Sequence, residues 1–198
     1  MLFRSRCARC MSPAESEPQL LRCASARSRR SRSLRFEIGM KANAPKRSGT
    51  GSVPILFLDF DGVLHPNLAP PPQRFSQLPL LVEAIGHSSV EIVISSSWRF
   101  EWSLARMKGF FPGSLRPRIV GTTGPAHIGR HARWQEITRY CSEAAISNWR
   151  ALDDARFEFP DPCERLIACD GGRGLEHRQC EVLRLWLGDD ASTLSGTS

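Results

Sequence analysis

Two carboxylates spaced two residues apart, Asp59 and Asp61, follow the apolar run Ile55, Leu56, Phe57 and Leu58, and Gly62 comes next. A short apolar run bounded by turn residues reads as a buried strand of a parallel sheet. Open α/β sheets bind their ligands at the carboxyl ends of such strands. On a continuing strand Asp59 and Asp61 share a face. Like charges that close repel unless a proton or a cation lies between them, and the simplest cation for oxygen ligands is Mg2+. Polar strand ends recur further along: residues 91–94 run into Ser95, Ser96 and Ser97, residues 149–152 into Asp153 and Asp154, and residues 166–169 into Asp170. Singly these are an Asp-Gly turn, a helix cap and a solvated loop. Together on one edge they have no use in a core and suit an active site.

The elements that must position these groups alternate. Strands are expected over residues 55–58, 91–94, 118–121, 149–152 and 166–169, and helices over 78–85, 101–108, 133–145 and 180–187. Pro79 sits near the start of the first helix, and Ile137, Tyr140, Cys141 and Ala144 form one stripe of the third. Strands alternating with helices predict an α/β fold, a three-layer doubly wound Rossmann-like sheet of about five parallel strands. Residues 64–90 and 99–133 are too short to hold a separate capping fold, so the site is expected to be open.

The motif Asp59-Phe60-Asp61-Gly62-Val63-Leu64 resembles the first motif of the haloacid dehalogenase (HAD) superfamily of phosphohydrolases. Ile94-Ser95-Ser96-Ser97 looks like its second motif and Leu152-Asp153-Asp154 like its acidic fourth, in the same order, over residues 53–188. The Ser-Ser-Trp-Arg run, Arg133 leading into Glu136-Ile137, and the later Gly174-Leu175 are similar to a bacterial and phage branch that includes phosphatase-like domains attached to RNA-repair proteins. The resemblance implies Asp59 as nucleophile and Asp61 as proton carrier, with Asp61 lending a metal only its backbone carbonyl. Asp59 and Asp153 would hold Mg2+, with Asp154 as a further ligand or a supporting acid. Ser95 or Ser96 would bind the phosphoryl oxygens. The family's third motif is a Lys or Arg. Lys108 is the only lysine after residue 50 and lies in the wrong place, so Arg133, then Arg130, is the candidate. Arg99 and His65 are placed to reach substrate or to serve as an ordinary surface pair and loop histidine, and Trp98 reads as a core or rim aromatic.

Three other readings compete. One is a catalytically weak HAD-fold binding or regulatory module acting with nucleic acid. Another is a response-regulator receiver domain, which the Asp-x-Asp-Gly spacing and the lack of a late lysine disfavour. The third is a nucleic-acid binder built on the N-terminal arm. Residues 1–50 carry 12 Lys and Arg against 3 Asp and Glu, whereas the remainder carries 15 against 17, so the net charge of +7 belongs to the tail. That Arg- and Ser-rich tail reads as disordered. It could be a basic arm for nucleic acid, a transit peptide, or an over-extended start with Met40 as the true first residue. The expected organisation is therefore a tail over 1–50, a domain over 51–188 and a polar tail over 189–198.

Cys7 and Cys10 have zinc-knuckle spacing, but no second pair follows, and the seven cysteines read as free thiols of a reducing cytoplasm. No run is apolar enough to span a membrane. The expected partner is a phosphorylated substrate: a small molecule, a nucleic-acid end or a protein.

Overall fold

A computed structural model describes residues 53–188. The basic tail, the Cys7 and Cys10 pair, the alternative start at Met40 and the C-terminal tail lie outside the described residues. Five strands, β1 (Ile55–Leu58), β2 (Glu91–Ile94), β3 (Ile119–Thr122), β4 (Trp149–Asp153) and β5 (Leu166–Ala168), form one all-parallel sheet in the order β3-β2-β1-β4-β5. Four helices join or close them: α1 (Leu78–Ile85), α2 (Leu104–Lys108), α3 (Ala132–Glu143) and α4 (His177–Leu187).

The apolar run of β1 is buried at every position because both faces of the sheet are covered. Leu56 and Leu58 share a cluster with Leu81 and Ile85 of α1, Met107 of α2 and Leu183 of α4. Ile55 and Phe57 share the opposite cluster with Ile137 and Tyr140 of α3. Each fully buried Leu, Ile or Phe contributes about 1.5–3 kcal/mol by removal of its side chain from water, which is why a four-residue strand suffices as the centre of the fold. The chain steps outward from β1 to β2 to β3 and then returns across α3 to β4 on the other side of β1. The strand order therefore reverses between β1 and β4, the place where open sheets of this kind bind ligands.

The expected elements are all present, with shifted ends. α2 begins at Leu104 rather than near residue 101, because residues Ser97–Phe100 wind as a 3-10 turn and Ser103 Oγ caps the helix by accepting from Arg106 N. α4 begins three residues earlier than expected, because Glu176 and Gln179 form a capping box. α3 stops at Glu143, and its last expected turn unwinds at Ala145, which has a positive φ of 52°.

Only the 3-10 turn Pro71–Gln73 and α1 lie between β1 and β2, and only a loop lies between β3 and α3. The described residues thus contain no inserted capping fold. No helix among them is long and apolar enough to cross a membrane.

Candidate active site

Backbone pairing continues one residue beyond the strands. Asp59 N donates to Leu152 O, Ser95 N to Leu58 O, Thr123 N to Ile94 O and Cys169 N to Asp153 O, at 2.9–3.1 Å. This extension sets Asp59, Ser95, Thr123 and Asp153 level along the carboxyl edge. Asp59, Asp153 and Asp154 each bring a carboxylate oxygen within 4.8 Å of the others, and Asp59 and Asp153 are buried. Arg133, in the first turn of α3, reaches between them, with Nη2 3.6 Å from Asp59 Oδ2 and Nε 3.3 Å from Asp153 Oδ2.

Electrostatics at this cluster are dominated by burial. Removal from water raises the pKa of Asp59, although Arg133, a Ser96 hydroxyl bond and the Phe60 N–H all pull it down. Burial, reinforced by the Asp59 charge, pushes Asp153 up to about 7 despite Arg133 and the Ala155 N–H. Burial also works against the Arg133 charge, but Asp59 and Asp153 more than offset it and raise its pKa. Three carboxylates against one guanidinium leave a formal charge of −2, the complement of a divalent cation. Asp153 Oδ2 is buried and, apart from the ion pair to Arg133, accepts no hydrogen bond; an all-oxygen donor set surrounds it, and both observations fit a hard cation.

Asp154 is held from outside the cluster. Asn67 Nδ2 donates to its Oδ2 at 2.8 Å, and Asn67 N donates to Gly171 O at 2.7 Å. A Cβ at Gly62, where φ is +67°, or at Gly171 would overlap Asp154 Oδ2. The glycine after the first motif is therefore needed twice, for the left-handed turn and for the approach of the fourth motif.

β1 ends at Leu58 and the chain turns, so the continuing strand on which Asp59 and Asp61 were expected to share a face is not formed. The Asp61 side chain is 44 % exposed and points to a different set of partners. His65 Nε2 donates to its Oδ1 at 3.1 Å, and Trp98 Nε1 donates to its Oδ2 at 2.7 Å. The other ring nitrogen of His65 accepts from Phe75 N at 3.4 Å, which assigns the proton to Nε2. His65 is thus a buried brace for Asp61, not a solvated loop histidine.

Among the serines, Ser96 bonds Asp59 and also accepts from Trp98 N, Ser95 Oγ is buried without a hydrogen-bond partner, and Ser97 is exposed. Arg130 is exposed and Asp170 forms a turn, accepting from Gly172 N through its side chain and from Gly174 N through its carbonyl; neither joins the acidic cluster.

Arg99 is not a surface pair. It is buried, donates to Ser95 O and Ser96 O at 2.8 Å and to Gly124 O at 3.2 Å, and pairs with buried Glu136 at 2.6 Å. The other Glu136 oxygen accepts from His127 N. This brace ties the serine loop to the loop after β3. Breaking a buried pair leaves an uncompensated charge, so Arg99→Leu is expected to cost about 3–5 kcal/mol and to lower Tm by roughly 10 °C. A thermal melt within about 2 °C of wild type would show that the brace is dispensable.

The family model described as the HAD domain in Swiss Army Knife RNA repair proteins matches residues 55–180, from the first strand into the last helix. This chain belongs to that family. The match spans every acidic residue of the site, and it makes the HAD-type phosphohydrolase role the one that the domain supports. No curated protein and no solved structure matches the chain. Within the HAD domain, three site residues escaped the reading of the sequence: Asn67, His65 as a partner of Asp61, and Trp98 as its second donor. The Asp61-to-His65 spacing of four was the one local signal available.

Proposed function

We propose that this HAD domain is a Mg2+-dependent phosphomonoesterase that works through a covalent aspartyl-phosphate on Asp59. The observation that carries the reading is the convergence of Asp59, Asp153 and Asp154 with Arg133 at the sheet's switch point. Asp59, Asp153, Asp154 and the Asp61 backbone carbonyl would hold Mg2+, which screens the charge between an anionic nucleophile and an anionic phosphate and orients both.

Asp59 attacks phosphorus as the ester bond breaks, and Asp61 gives its proton to the departing oxygen. The same carboxylate then takes a proton from water, whose oxygen attacks the acyl-phosphate; inorganic phosphate leaves and Asp59 is regenerated. Arg133 and Ser96 stabilise the phosphoryl oxygens, and Ser95 Oγ is the next free hydroxyl on that edge. The open carboxyl edge and the family's place in RNA repair support a nucleic-acid end, or another large phosphorylated molecule, as substrate.

Acid-quenching the protein with a radiolabelled phosphomonoester and Mg2+ tests the proposal. Label on the protein that hydroxylamine releases is the expected result; turnover with no label at any time point would overturn the covalent route.

A pH dependence follows from the raised carboxyls. Without metal, folded Asp153 keeps its proton up to about pH 7, whereas the unfolded chain loses it near 3.8. The folded state thus binds more protons in that window, and stability falls as pH rises through it. In EDTA, Tm is expected to drop by about 5 °C or more between pH 5 and pH 8. Mg2+ should restore it at pH 8 and do little at pH 5, because the ligands must be ionised. A Tm that climbs with pH in EDTA would contradict this account of the cluster.

A further inference from the structure

Asp61 gives its proton to the leaving oxygen, so whatever borders Asp61 borders the leaving group. Its Oδ2 accepts from Trp98 Nε1 at 2.7 Å. From Trp98 a ladder of rings and guanidiniums runs outward. Arg74 Cζ lies 5.5 Å from the Trp98 ring centroid, Trp102 stacks on Trp98 at 5.8 Å and 29°, and Arg106 Cζ lies 3.4 Å from the Trp102 centroid. Phe75 and Phe110 pack beside these rings. Both arginines are exposed, both indoles are half-buried, and neither arginine has a carboxylate partner among the described residues.

A carboxylate would hold a guanidinium and cancel its charge. An indole face holds it and leaves the charge available. Two exposed guanidiniums held on a row of rings suit a chain that carries several phosphates, since a guanidinium fork pairs with phosphate. A peptide leaving group has a neutral backbone and offers such a pair only the acidic side chains it happens to carry.

We propose that Arg74, Trp98, Trp102 and Arg106 form a leaving-group subsite built for a nucleic-acid strand, with internal phosphates paired to Arg74 and Arg106. The proposal rests on the phosphatase reading through the role of Asp61, and it adds the chemical class that the departing group must have.

The test uses the full chain with four probes: an aryl phosphate, a mononucleotide, an octanucleotide with a terminal phosphate at either end, and a phosphopeptide. Wild type is expected to favour an octanucleotide over the mononucleotide and the phosphopeptide in kcat/KM. In R74Q/R106Q the ratio of octanucleotide to aryl phosphate should fall at least tenfold. Arg184→Gln, which removes one charge from the Glu83 pair on the α1–α4 side, should leave the ratio as it is.

Binding is read separately by anisotropy of a labelled octanucleotide on D59N protein. There the slope of log Kd against log salt should fall by about 1.4 when both arginines are replaced, about 0.7 per phosphate contact on a single strand. An unchanged ratio with an unchanged slope overturns the subsite, as does a preference for the phosphopeptide. Absence of turnover by wild type on every probe, with the slope change intact, overturns the phosphatase reading and leaves the strand-binding ladder standing.

Discussion

Asp59→Asn is expected to abolish hydrolysis, lowering kcat on the order of 10⁴-fold or more, while the domain stays folded. The asparagine keeps the oxygen that accepts from Phe60 N, so the backbone after β1 retains its anchor. It loses the anionic oxygen that must attack phosphorus and one of three carboxylates that fit a dication. Stability should move the other way. Asp59 is a buried acid whose pKa burial raises, with Asp154 adding to the repulsion. Removing that charge relieves a cost of desolvation, so Tm at pH 8 in EDTA should equal or exceed that of wild type. Paired steady-state kinetics and thermal melts check both halves. Activity within tenfold of wild type would remove Asp59 from the role of nucleophile, and a Tm collapse would show that the loss was structural.

Asp61→Asn should cost about 10²- to 10⁴-fold in kcat, with a signature that separates the two chemical steps. An aryl phosphate has a leaving group that departs without a proton, so the first step still runs and the aspartyl-phosphate accumulates because no base activates water. An alkyl or nucleoside phosphate needs the proton, so the first step is also blocked and no label builds up. Acid-quench labelling of the variant with the two substrate types reads this difference directly. Equal labelling with both would place the acid elsewhere. The substitution is nearly isosteric, and the introduced amide oxygen can still accept from Trp98 Nε1, the shorter of the two bonds to the carboxylate. The amide NH2 then meets His65 Nε2–H, so one bond is lost unless the histidine changes tautomer and gives up Phe75 N. The phenotype therefore includes a contribution from the orientation of the side chain at position 61 as well as from its proton.

The core strands and the acids at their ends were legible for a local reason. A strand covered on both faces must be apolar at consecutive positions, and β1 and β2 announce themselves as such runs stopped by a polar residue, whereas β4 is interrupted by Arg150 and β5 is a short, half-buried edge strand. The shape of the first motif, and its distance from the serines and from the Asp pair, carried the family. Helix starts were less legible where a cap decided them: Ser103 and Glu176 act through backbone geometry that apolar periodicity does not register.

Asp170 looked equivalent to the other strand-end acids because the sequence around it has the same form. β5 is the edge strand, however, one place further from β1 than β4, and Asp170 spends its oxygens on its own turn. Arg99 looked like a surface residue because its carboxylate partner lies 37 positions away on α3.

The chain by itself determined the chemistry available: carboxylates and hydroxyls at the carboxyl ends of parallel strands and candidate arginines near the start of a helix, in the order of a HAD phosphohydrolase. Those features follow from neighbours along the chain and survive any arrangement of the strands. The tertiary structure alone decided which groups meet. The return across α3 puts β4 against β1 and so puts Asp153 beside Asp59, while the turn after Leu58 sends Asp61 to His65 and Trp98. Partners far apart in the chain, such as Asp61 and Trp98 or Asp59 and Asp153, are set by strand order and the path of loops, which no local pattern of residues encodes.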